Sequence, residues 1–537
     1  MNTKLARAVA WIFVLGIATL PLFGQGSTAR GAAGLQVDNL RTPLGIDDPA
    51  PRFSWQLRDP AQGARQSAYL VDVSSTAAAL NQGHADVWTS GRTNSAQSVN
   101  VTYRGPALKA GKRYYWRVKL WDAAGKEYPP SEITWWETGL LIQDAWNAPW
   151  IGYETPEETA VRHAKAQWVA NPEFKELGAE KASEQHFAYR AMASLEKPVR
   201  SATLYATCQD TVSAWVNGVQ VLLADPLPPY KQMPWKKYVS ASVSRQLEKG
   251  ANAVALDCVH YVANPNGRAD DDAPPMSATL YVEYEDGADA TFASGPSWKT
   301  AIHPAGDWRA THFDDSTWKN AVAFEPKSGP GDAALGNPWI PDSVKMLRHT
   351  FESGKGIKSA RLYSTALGAY QIFLNGKRVS EDVLAPGWTD YRERLVYQTY
   401  DVTSMLVAGK NAIGALMAPG WYATPLEWFQ QPNNYGDTPP ALRAQLMIEH
   451  SDGSIEWIKT GADWQAATSH IVSSEIYDGE TQDARLFQPG WTTAAFGSGK
   501  WKAVSLIEPK KMNGVPTDRS SSVGWRSPVL RPGRGEV

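Results

Sequence analysis

The chain has 537 residues, which is enough for several domains that each bury a core of their own. Its 53 Lys and Arg residues nearly balance its 55 Asp and Glu residues, so the formal net charge is only -2. Because there is no basic excess, the composition argues against nucleic acid or an anionic membrane as a partner.

The first 33 residues predict a secretory signal peptide. Lys4 and Arg7 precede the apolar run "AVAWIFVLGIATLPLF", and small residues from Gly24 to Ala33 offer cleavage positions. We therefore expect a secreted or periplasmic protein that is not held in a membrane after cleavage.

Residues 34–142 predict an immunoglobulin-type sandwich of the fibronectin type III kind. The segments "RFSWQL", "AYLVDVSS" and "YYWRVKLWDAAG" alternate apolar and polar residues with the period of a half-buried strand. A spacer or packing role is the simplest expectation for this domain.

The remainder of the chain is dominated by a duplicated segment. The string "SATLYATCQDTVSAWVNGVQV" from Ser201 returns as "SARLYSTALGAYQIFLNGKRV" from Ser359, an offset of 158 that also relates Asn217 to Asn375. A constant offset over a long stretch indicates a repeated module. Short alternating strands separated by Asn-Gly turns predict a jelly-roll sandwich for each copy, over residues 143–335 and 336–510. The predicted fold class is therefore all-β, followed by an irregular tail over 511–537.

The first copy is predicted to carry a short helical insertion. A Pro-Trp-Ile tripeptide opens each copy, at Pro149 and at Pro338, but it lies much further from Arg190 than its counterpart lies from Arg348. The additional residues are rich in helix formers.

The two cysteines, Cys208 and Cys258, both fall in the first copy, on strands predicted to be neighbours. An oxidising compartment permits a disulfide between them, but their separation in the sequence says nothing about their distance in space. A disulfide and a pair of buried thiols both remain open.

No catalytic residue is assigned. Pairs of carboxylates suited to glycoside hydrolysis exist by type only, at Asp478 with Glu480, at Asp314 with Asp315, and in the run Asp270 to Asp272. Carboxylates are common in loops, and the sequence contains neither a His-Glu-x-x-His zinc motif nor a phosphate-binding loop.

Several strings resemble the bacterial α-L-rhamnosidases of glycoside hydrolase family 78, which remove terminal rhamnose with inversion. In the second copy "LNGKRVSEDVLAPGWTDYRERLVYQTYDVTSML", "APGWY" and "EIYDGETQDARLFQPGW" are similar to that family's N-terminal β-domain. The string "LQVDNLRTPLGIDDPAPRFSWQL" resembles the family's leading fibronectin-like domain. The first copy resembles the rhamnose-binding module that some members carry between these two. The resemblance covers residues 34 to 510.

The resemblance implies an accessory role. Family members carry their catalytic carboxylates in an (α/α)6 barrel that follows these β-domains, whereas only 27 residues follow Lys510 here. We therefore expect a reading frame that is truncated or frame-shifted near residue 512, and a protein that binds rhamnose-containing glycans without hydrolysing them. Two alternatives stay open: a rhamnosidase whose barrel is supplied elsewhere, and a structural scaffold.

The resemblance also implies a calcium-dependent sugar site in the first copy. The module's calcium-binding Asp-Asn pair falls on Gln209 and Asp210, and its later loop corresponds to "HYVANPNGRADDDAPP", which contains Asn264 and Pro275. The expected calcium ligands are Asp210, Asn264 and Pro275, and the expected sugar-binding residues are Gln209, Asp210, Trp235 and Asn264. A solvated acidic loop and an ordinary turn residue are the competing interpretation.

The second copy is not expected to bind calcium, because Leu367 and Gly368 stand where the acidic pair would be. Aromatic residues can form a platform for the apolar face of a sugar. The candidates are Trp215, Trp235, Tyr261, Trp388, Trp421 and Tyr422. Trp388 and Trp421 follow Pro-Gly turns, so packing onto the sandwich is the favoured interpretation for both. The expected partner is a rhamnose-containing oligosaccharide or glycoside.

Overall fold

The computed structural model describes residues 30–141, 146–173, 185–208, 211–223, 237–260, 275–324, 343–391, 395–426, 435 and 438–508. Most of the predicted signal peptide and the predicted tail therefore lie outside the described residues. The described chain is almost entirely β-structure, which confirms the predicted fold class. Within these ranges no helix is long and apolar enough to cross a membrane.

The chain divides into two compact units, of which the first holds residues up to 42, 49–108 and 113–136. Its strands form a three-stranded sheet, β1-β2-β5, and a four-stranded sheet, β4-β3-β6-β7. The strands are β1 (Gly31–Val37), β2 (Arg52–Arg58), β3 (Gln66–Ser74), β4 (Trp88–Thr89), β5 (Val101–Thr102), β6 (Arg113–Asp122) and β7 (Thr134–Glu137), with helix α1 (Ala77–Asn81) after β3. The last residue of β7, Glu137, already belongs to the second unit.

Aromatic side chains form the core of the first unit. The ring of Phe53 lies 4.6 Å from that of Trp116 and 5.4 Å from that of Trp136, and all three side chains are buried. Strand β1 starts at Gly31 and pairs with β2 from that residue onward. The strand thus begins three residues before position 34, at which the domain was predicted to start.

The first elements that lie wholly within the second unit are a short strand, β8 (Trp150–Gly152), and helix α2 (Pro156–Arg162). The helix starts at a capping box, in which Thr155 and Glu158 each accept a hydrogen bond from the other's backbone N–H. It supplies the predicted helical insertion, of which residues 174–184 lie outside the described ranges.

The first sandwich has twelve strands in two facing sheets. The sheet orders are β13-β12-β15-β10-β18-β19 and β14-β11-β16-β9-β20, with β17 paired to β16. The strands are β9 (Val169–Ala170), β10 (Gln185–Leu195), β11 (Val199–Cys208), β12 (Thr211–Val216), β13 (Val219–Leu222), β14 (Val239–Ser242), β15 (Gly250–His260), β16 (Met276–Tyr284), β17 (Asp289–Ala293), β18 (Lys299–Ile302), β19 (Lys319–Asn320) and β20 (Val322–Ala323).

The second sandwich repeats this topology. Its sheets are β24-β23-β26-β21-β29-β32 and β25-β22-β27-β8-β33, with β28 paired to β27, and β30 and β31 form a separate hairpin. The strands are β21 (Lys345–Ser353), β22 (Ile357–Leu367), β23 (Ala369–Leu374), β24 (Lys377–Arg378), β25 (Gln398–Asp401), β26 (Gly409–Ala418), β27 (Ala441–His450), β28 (Ile455–Lys459), β29 (Gln465–Thr468), β30 (Ile471–Glu475), β31 (Gly479–Gln482), β32 (Lys502–Ala503) and β33 (Ser505–Ile507), with helix α3 (Gly420–Ala423) after β26.

Strand β8 belongs to the second sandwich. Ile151 pairs with Leu442 of β27 and with Leu506 of β33, so β8 occupies the place that β9 holds in the first sandwich. The Pro-Trp-Ile tripeptide at Pro149 was expected to open the first copy, and the structure differs there. The first sandwich is inserted into the second, between β8 and β21.

The duplicated asparagines adopt the same conformation and make the same hydrogen bonds in both copies. Asn217 and Asn375 both adopt positive φ at their Asn-Gly turns, at 51° and 50°, a region in which asparagine is tolerated. Each donates from its side-chain amide to a second asparagine 2.8 Å away, Asn252 or Asn411, both of which are fully buried. The repeated Asn-Gly turns are thus locked to the adjacent strand by the same pair of amides.

Candidate carbohydrate-binding site

The predicted site residues lie in three connections of the first sandwich, between β11 and β12, β13 and β14, and β15 and β16. The strand ends that flank these connections are described. Cys208 pairs with Met276, and Thr211 pairs with Val259. Strand β14 starts at Val239, which pairs with Ala206 near the end of β11. All three connections therefore leave the sandwich at one end, which we call the loop end.

Four of the five predicted site residues, Gln209, Asp210, Trp235 and Asn264, lie outside the described residues. Pro275 is described, and it is buried. It lies one residue beyond the Cys208–Met276 pair, at the point where the chain leaves β11 toward positions 209 and 210.

A disulfide between Cys208 and Cys258 fastens the loop end, with the two Cα atoms 5.9 Å apart. Cys208 ends β11 and Cys258 lies two residues before the end of β15. These strands belong to opposite sheets, so the expectation of neighbouring strands was wrong, and the bond joins the two layers instead. It holds together the starting points of two of the three connections that carry predicted site residues.

Three buried side-chain oxygens near the loop end have no hydrogen-bond partner within the described part of the chain: Gln185 Oε1, Thr211 Oγ1 and Asp257 Oδ1. The other carboxylate oxygen of Asp257 lies 2.9 Å from Nδ1 of His186. Buried polar atoms of native proteins almost always have a partner, which can be a bound water, ion or ligand.

These groups do not all share one face. Gln185 lies two residues before the core residue Phe187 on the same strand, so it belongs to the face between the sheets. Thr211 and Asp257 lie directly next to core residues in the chain, so they belong to the outer face. Oxygen donors of this kind suit calcium or a hydroxyl-rich ligand. The described residues include no group of three His, Cys, Asp or Glu side chains that could hold a metal ion.

Asp257 and His186 were not predicted from the sequence, although it contains a signal for them. The residues at the matching positions of the second copy are Leu416 and Val344, which are apolar. A comparison of the two copies position by position would have singled out this His–Asp pair as specific to the first.

At the equivalent end of the second sandwich, the connection that matches Gln209 and Asp210 is tightly packed. Leu367 is fully buried, and Gly368 has a φ of 136°, with the carbonyl oxygen of Ala418 blocking the place that its Cβ would occupy. A side chain therefore does not fit at position 368 unless its neighbours move.

The candidate aromatic residues have different surroundings. Trp215 packs against Trp308 at 6.0 Å and beneath the guanidinium of Arg309, and Tyr422 is buried. Trp388, however, is 46% exposed, although packing was the favoured interpretation for it. Tyr261 lies outside the described residues, as Trp235 does.

The candidate carboxylates of the second unit are engaged elsewhere. Asp478 pairs with Lys237 at 2.8 Å, and Asp315 accepts a hydrogen bond from Arg190. The backbone N–H of Ser316 donates to Asp314 and lowers the pKa of that carboxyl. A general acid of a glycosidase needs a raised pKa, so Asp314 has the opposite character. The run from Asp270 to Asp272 lies outside the described residues.

Two family profiles match the chain. Residues 32–142 match the profile described as "Rha78A-like, N-terminal immunoglobulin domain", and residues 355–523 match the profile described as "Alpha-L-rhamnosidase N-terminal domain".

Relatives of similar sequence carry the name alpha-L-rhamnosidase. A protein of Streptomyces avermitilis named alpha-L-rhamnosidase is 39% identical over 471 residues, which cover 87% of this chain and 44% of that protein. A protein of Formosa agariphila with the same name is 25% identical over 484 residues, covering 88% of this chain and 33% of that protein. The chain thus spans less than half the length of these relatives.

Solved structures agree with the sequence matches. The crystal structure of Streptomyces avermitilis alpha-L-rhamnosidase complexed with L-rhamnose superposes with a TM-score of 0.71 at 36% identity, covering 90% of this chain and 45% of that one. The alpha-L-rhamnosidase from Dictyoglumus thermophilum has a TM-score of 0.52 at 23% identity, which supports the fold alone. The chain therefore contains the two N-terminal domains of α-L-rhamnosidases that these profiles describe, over residues 32–142 and 355–523.

Proposed function

We propose that the chain is the carbohydrate-binding portion of an α-L-rhamnosidase-like protein, and that the loop end of its first sandwich binds terminal L-rhamnose with a calcium ion. One observation carries the proposal: the strand ends that flank every predicted ligand residue meet at a single, disulfide-fastened end of that sandwich. Strand ends that are far apart in the sequence thereby lie at one end of the sandwich.

The chemistry of the predicted residues suits such a ligand. The carboxylate of Asp210, the amide oxygen of Asn264 and the carbonyl of Pro275 are hard oxygen ligands of the kind that calcium takes. Calcium would neutralise the carboxylate and supply a point of attachment for vicinal sugar hydroxyls. The amide of Gln209 can pair with a further hydroxyl, and the indole of Trp235 can cover the apolar face of the ring.

Hydrolysis of rhamnosides is proposed only for a polypeptide as long as these relatives that would include this chain. Its support is the name shared by the relatives, which are more than twice as long as the matched region. A role in an extracytoplasmic compartment is part of the same proposal, because the first residues have the pattern of a secretory signal.

The test is calorimetric titration of the full chain with L-rhamnose, first in calcium and then in EGTA. We expect a calcium-dependent part of the binding heat that is lost in EGTA and in Asp210→Ala. Asp286→Ala is the matched control, because this exposed aspartate lies in the turn at the opposite end of β16 and should leave the titration unchanged.

Equal heat in EGTA, or unchanged binding by Asp210→Ala, would overturn the calcium site. Release of p-nitrophenol from p-nitrophenyl α-L-rhamnoside by the purified chain would show instead that it hydrolyses the glycoside by itself.

A further inference from the structure

The second sandwich presents an exposed aromatic surface. The rings of Trp388 and Trp421 lie 5.0 Å apart and only 3° from parallel. Trp421 is partly buried against the sandwich, whereas Trp388, the outer ring of the pair, remains 46% exposed. A large ring left half open to solvent forgoes much of the free energy that its burial would supply.

The outer ring is held rigidly. Its Nε1–H donates to the hydroxyl of Tyr435 at 2.7 Å, and Tyr435 packs at 4.8 Å against Tyr391. The hydroxyl of Tyr391 in turn donates to the carbonyl of Gly387, directly before Trp388, at 3.1 Å. Because the only polar group of the indole is already engaged, its open face is an apolar stacking surface, with little conformational entropy left to lose on binding.

The aromatic pair lies at the second sandwich's equivalent of the loop end. The backbone N–H of Tyr370, at the start of β23, donates to Ala385 in the turn that leads to Trp388. A Cβ on Gly420, directly before Trp421, would lie 2.6 Å from the Cβ of Ala369. Strand β23 is the counterpart of β12, and the Leu367–Gly368 connection before it is the counterpart of Gln209 and Asp210.

We infer that Trp388 and Trp421 form a second, metal-independent sugar site, at which the apolar face of a pyranose stacks on the open face of Trp388. Gly368 offers no side-chain ligand for calcium at this end, and the exposed Asp390 lies in the same loop, two residues beyond Trp388. The choice of a sugar rests on the proposed function, because it assumes that equivalent ends of the two copies take equivalent ligands.

A protein partner is the competing occupant, since Val383 and Leu384 of the same loop are also exposed. The flat stacked pair favours the sugar, because a single rigid ring matches one pyranose face, as an aromatic platform matches one nucleobase.

The test is titration of the full chain with L-rhamnose in EGTA, which removes any calcium-dependent binding from the measurement. We expect binding heat to persist, and Trp388→Ala to weaken the affinity about ten-fold. Trp457→Ala is the matched control, because Trp457 lies on β28 of the same sandwich with 38% exposure and should leave the affinity unchanged.

A second measurement does not depend on the folding of the alanine variant. In the chain labelled with 5-fluorotryptophan, Trp388→Phe identifies the resonance of residue 388, which should shift with L-rhamnose in EGTA while that of Trp457 does not. No heat in EGTA, or an unmoved resonance, would overturn the second site. Concentration-dependent association that Trp388→Ala abolishes, without sugar binding, would assign the surface to a protein partner.

The two proposals fail in different ways. If the first site does not exist, titrations in calcium will be the same for the original chain and for Asp210→Ala. If the second site does not exist, titrations in EGTA will give no binding heat.

Discussion

Removal of the buried amide of Asn252 should destabilise the first sandwich and leave the second unaffected. Its Oδ1 accepts from Asn217 Nδ2 and from the backbone N–H of Glu248, each at 2.8 Å. Its Nδ2 donates to the carbonyls of Glu248 at 2.7 Å and Gly250 at 3.0 Å. Every hydrogen-bonding position of the amide is therefore used.

The magnitude follows from the groups that Asn252→Ala leaves behind. The N–H and C=O of Glu248 and the C=O of Gly250 lose their partner, whereas Asn217 Nδ2 retains a bond to the carbonyl of Gln246 at 2.7 Å. An unsatisfied buried polar group is unfavourable by about 1–3 kcal/mol, and water entering the vacated space offsets part of that. We expect a loss of about 3 kcal/mol in the free energy of unfolding of the first sandwich.

Hydrogen–deuterium exchange read by mass spectrometry separates the two sandwiches, since each contributes its own peptides. Peptides from β12 and β15 should exchange faster in Asn252→Ala, and those from β23 and β26 should do so in Asn411→Ala. Asn320→Ala, a change at an exposed asparagine of β19, is the control. A loss below about 1 kcal/mol, or equal acceleration in both sandwiches, would refute the reasoning.

Two further predictions concern the first sandwich. Replacing both Cys208 and Cys258 with Ser should lower its stability toward urea by up to about 4 kcal/mol, because the bond closes a loop between residues 50 apart; identical midpoints with and without the bond would contradict this. Burial raises the pKa of Tyr238 to about 12, so its contribution to stability is intact below the ordinary value of 10 and is lost as the pH rises through about 12. Alkaline unfolding monitored with Tyr238→Phe as reference checks this, and ionisation of Tyr238 at pH 10 would count against it.

The repeated asparagines explain why so much of the fold is predictable from the sequence. An Asn-Gly turn requires positive φ, and Asn217 and Asn375 recur with the residues that bind them, so local chemistry and the constant offset indicate the same hairpins. The family resemblance, the all-β fold and the sandwich topology follow from signals of this kind.

The pairing of strand β8 and the contact between the two cysteines could not be predicted from such signals. A strand of three residues carries no periodicity, and nothing in Trp150–Gly152 indicates that its partners lie about 290 and about 355 positions further along. Likewise, Cys208 and Cys258 are brought together by the packing of two layers, which sequence separation does not encode. The exposure of Trp388 could not be predicted either, because it depends on the geometry of a loop that the sequence does not encode.

The insertion of one sandwich within another has a consequence for how the chain folds. Ile151 must find Leu442, but the inserted sandwich brings its own chain ends together, because Val169 pairs with Ala323. Folding the insert first roughly halves the length of loop that remains to be closed, which lowers the entropic barrier for the host by about 0.6 kcal/mol. Since domains generally fold in the order of their synthesis, we expect the insert to form first and its host to close around it. An insert with adjacent ends can also be gained or lost in evolution as a unit, with little disturbance to the host.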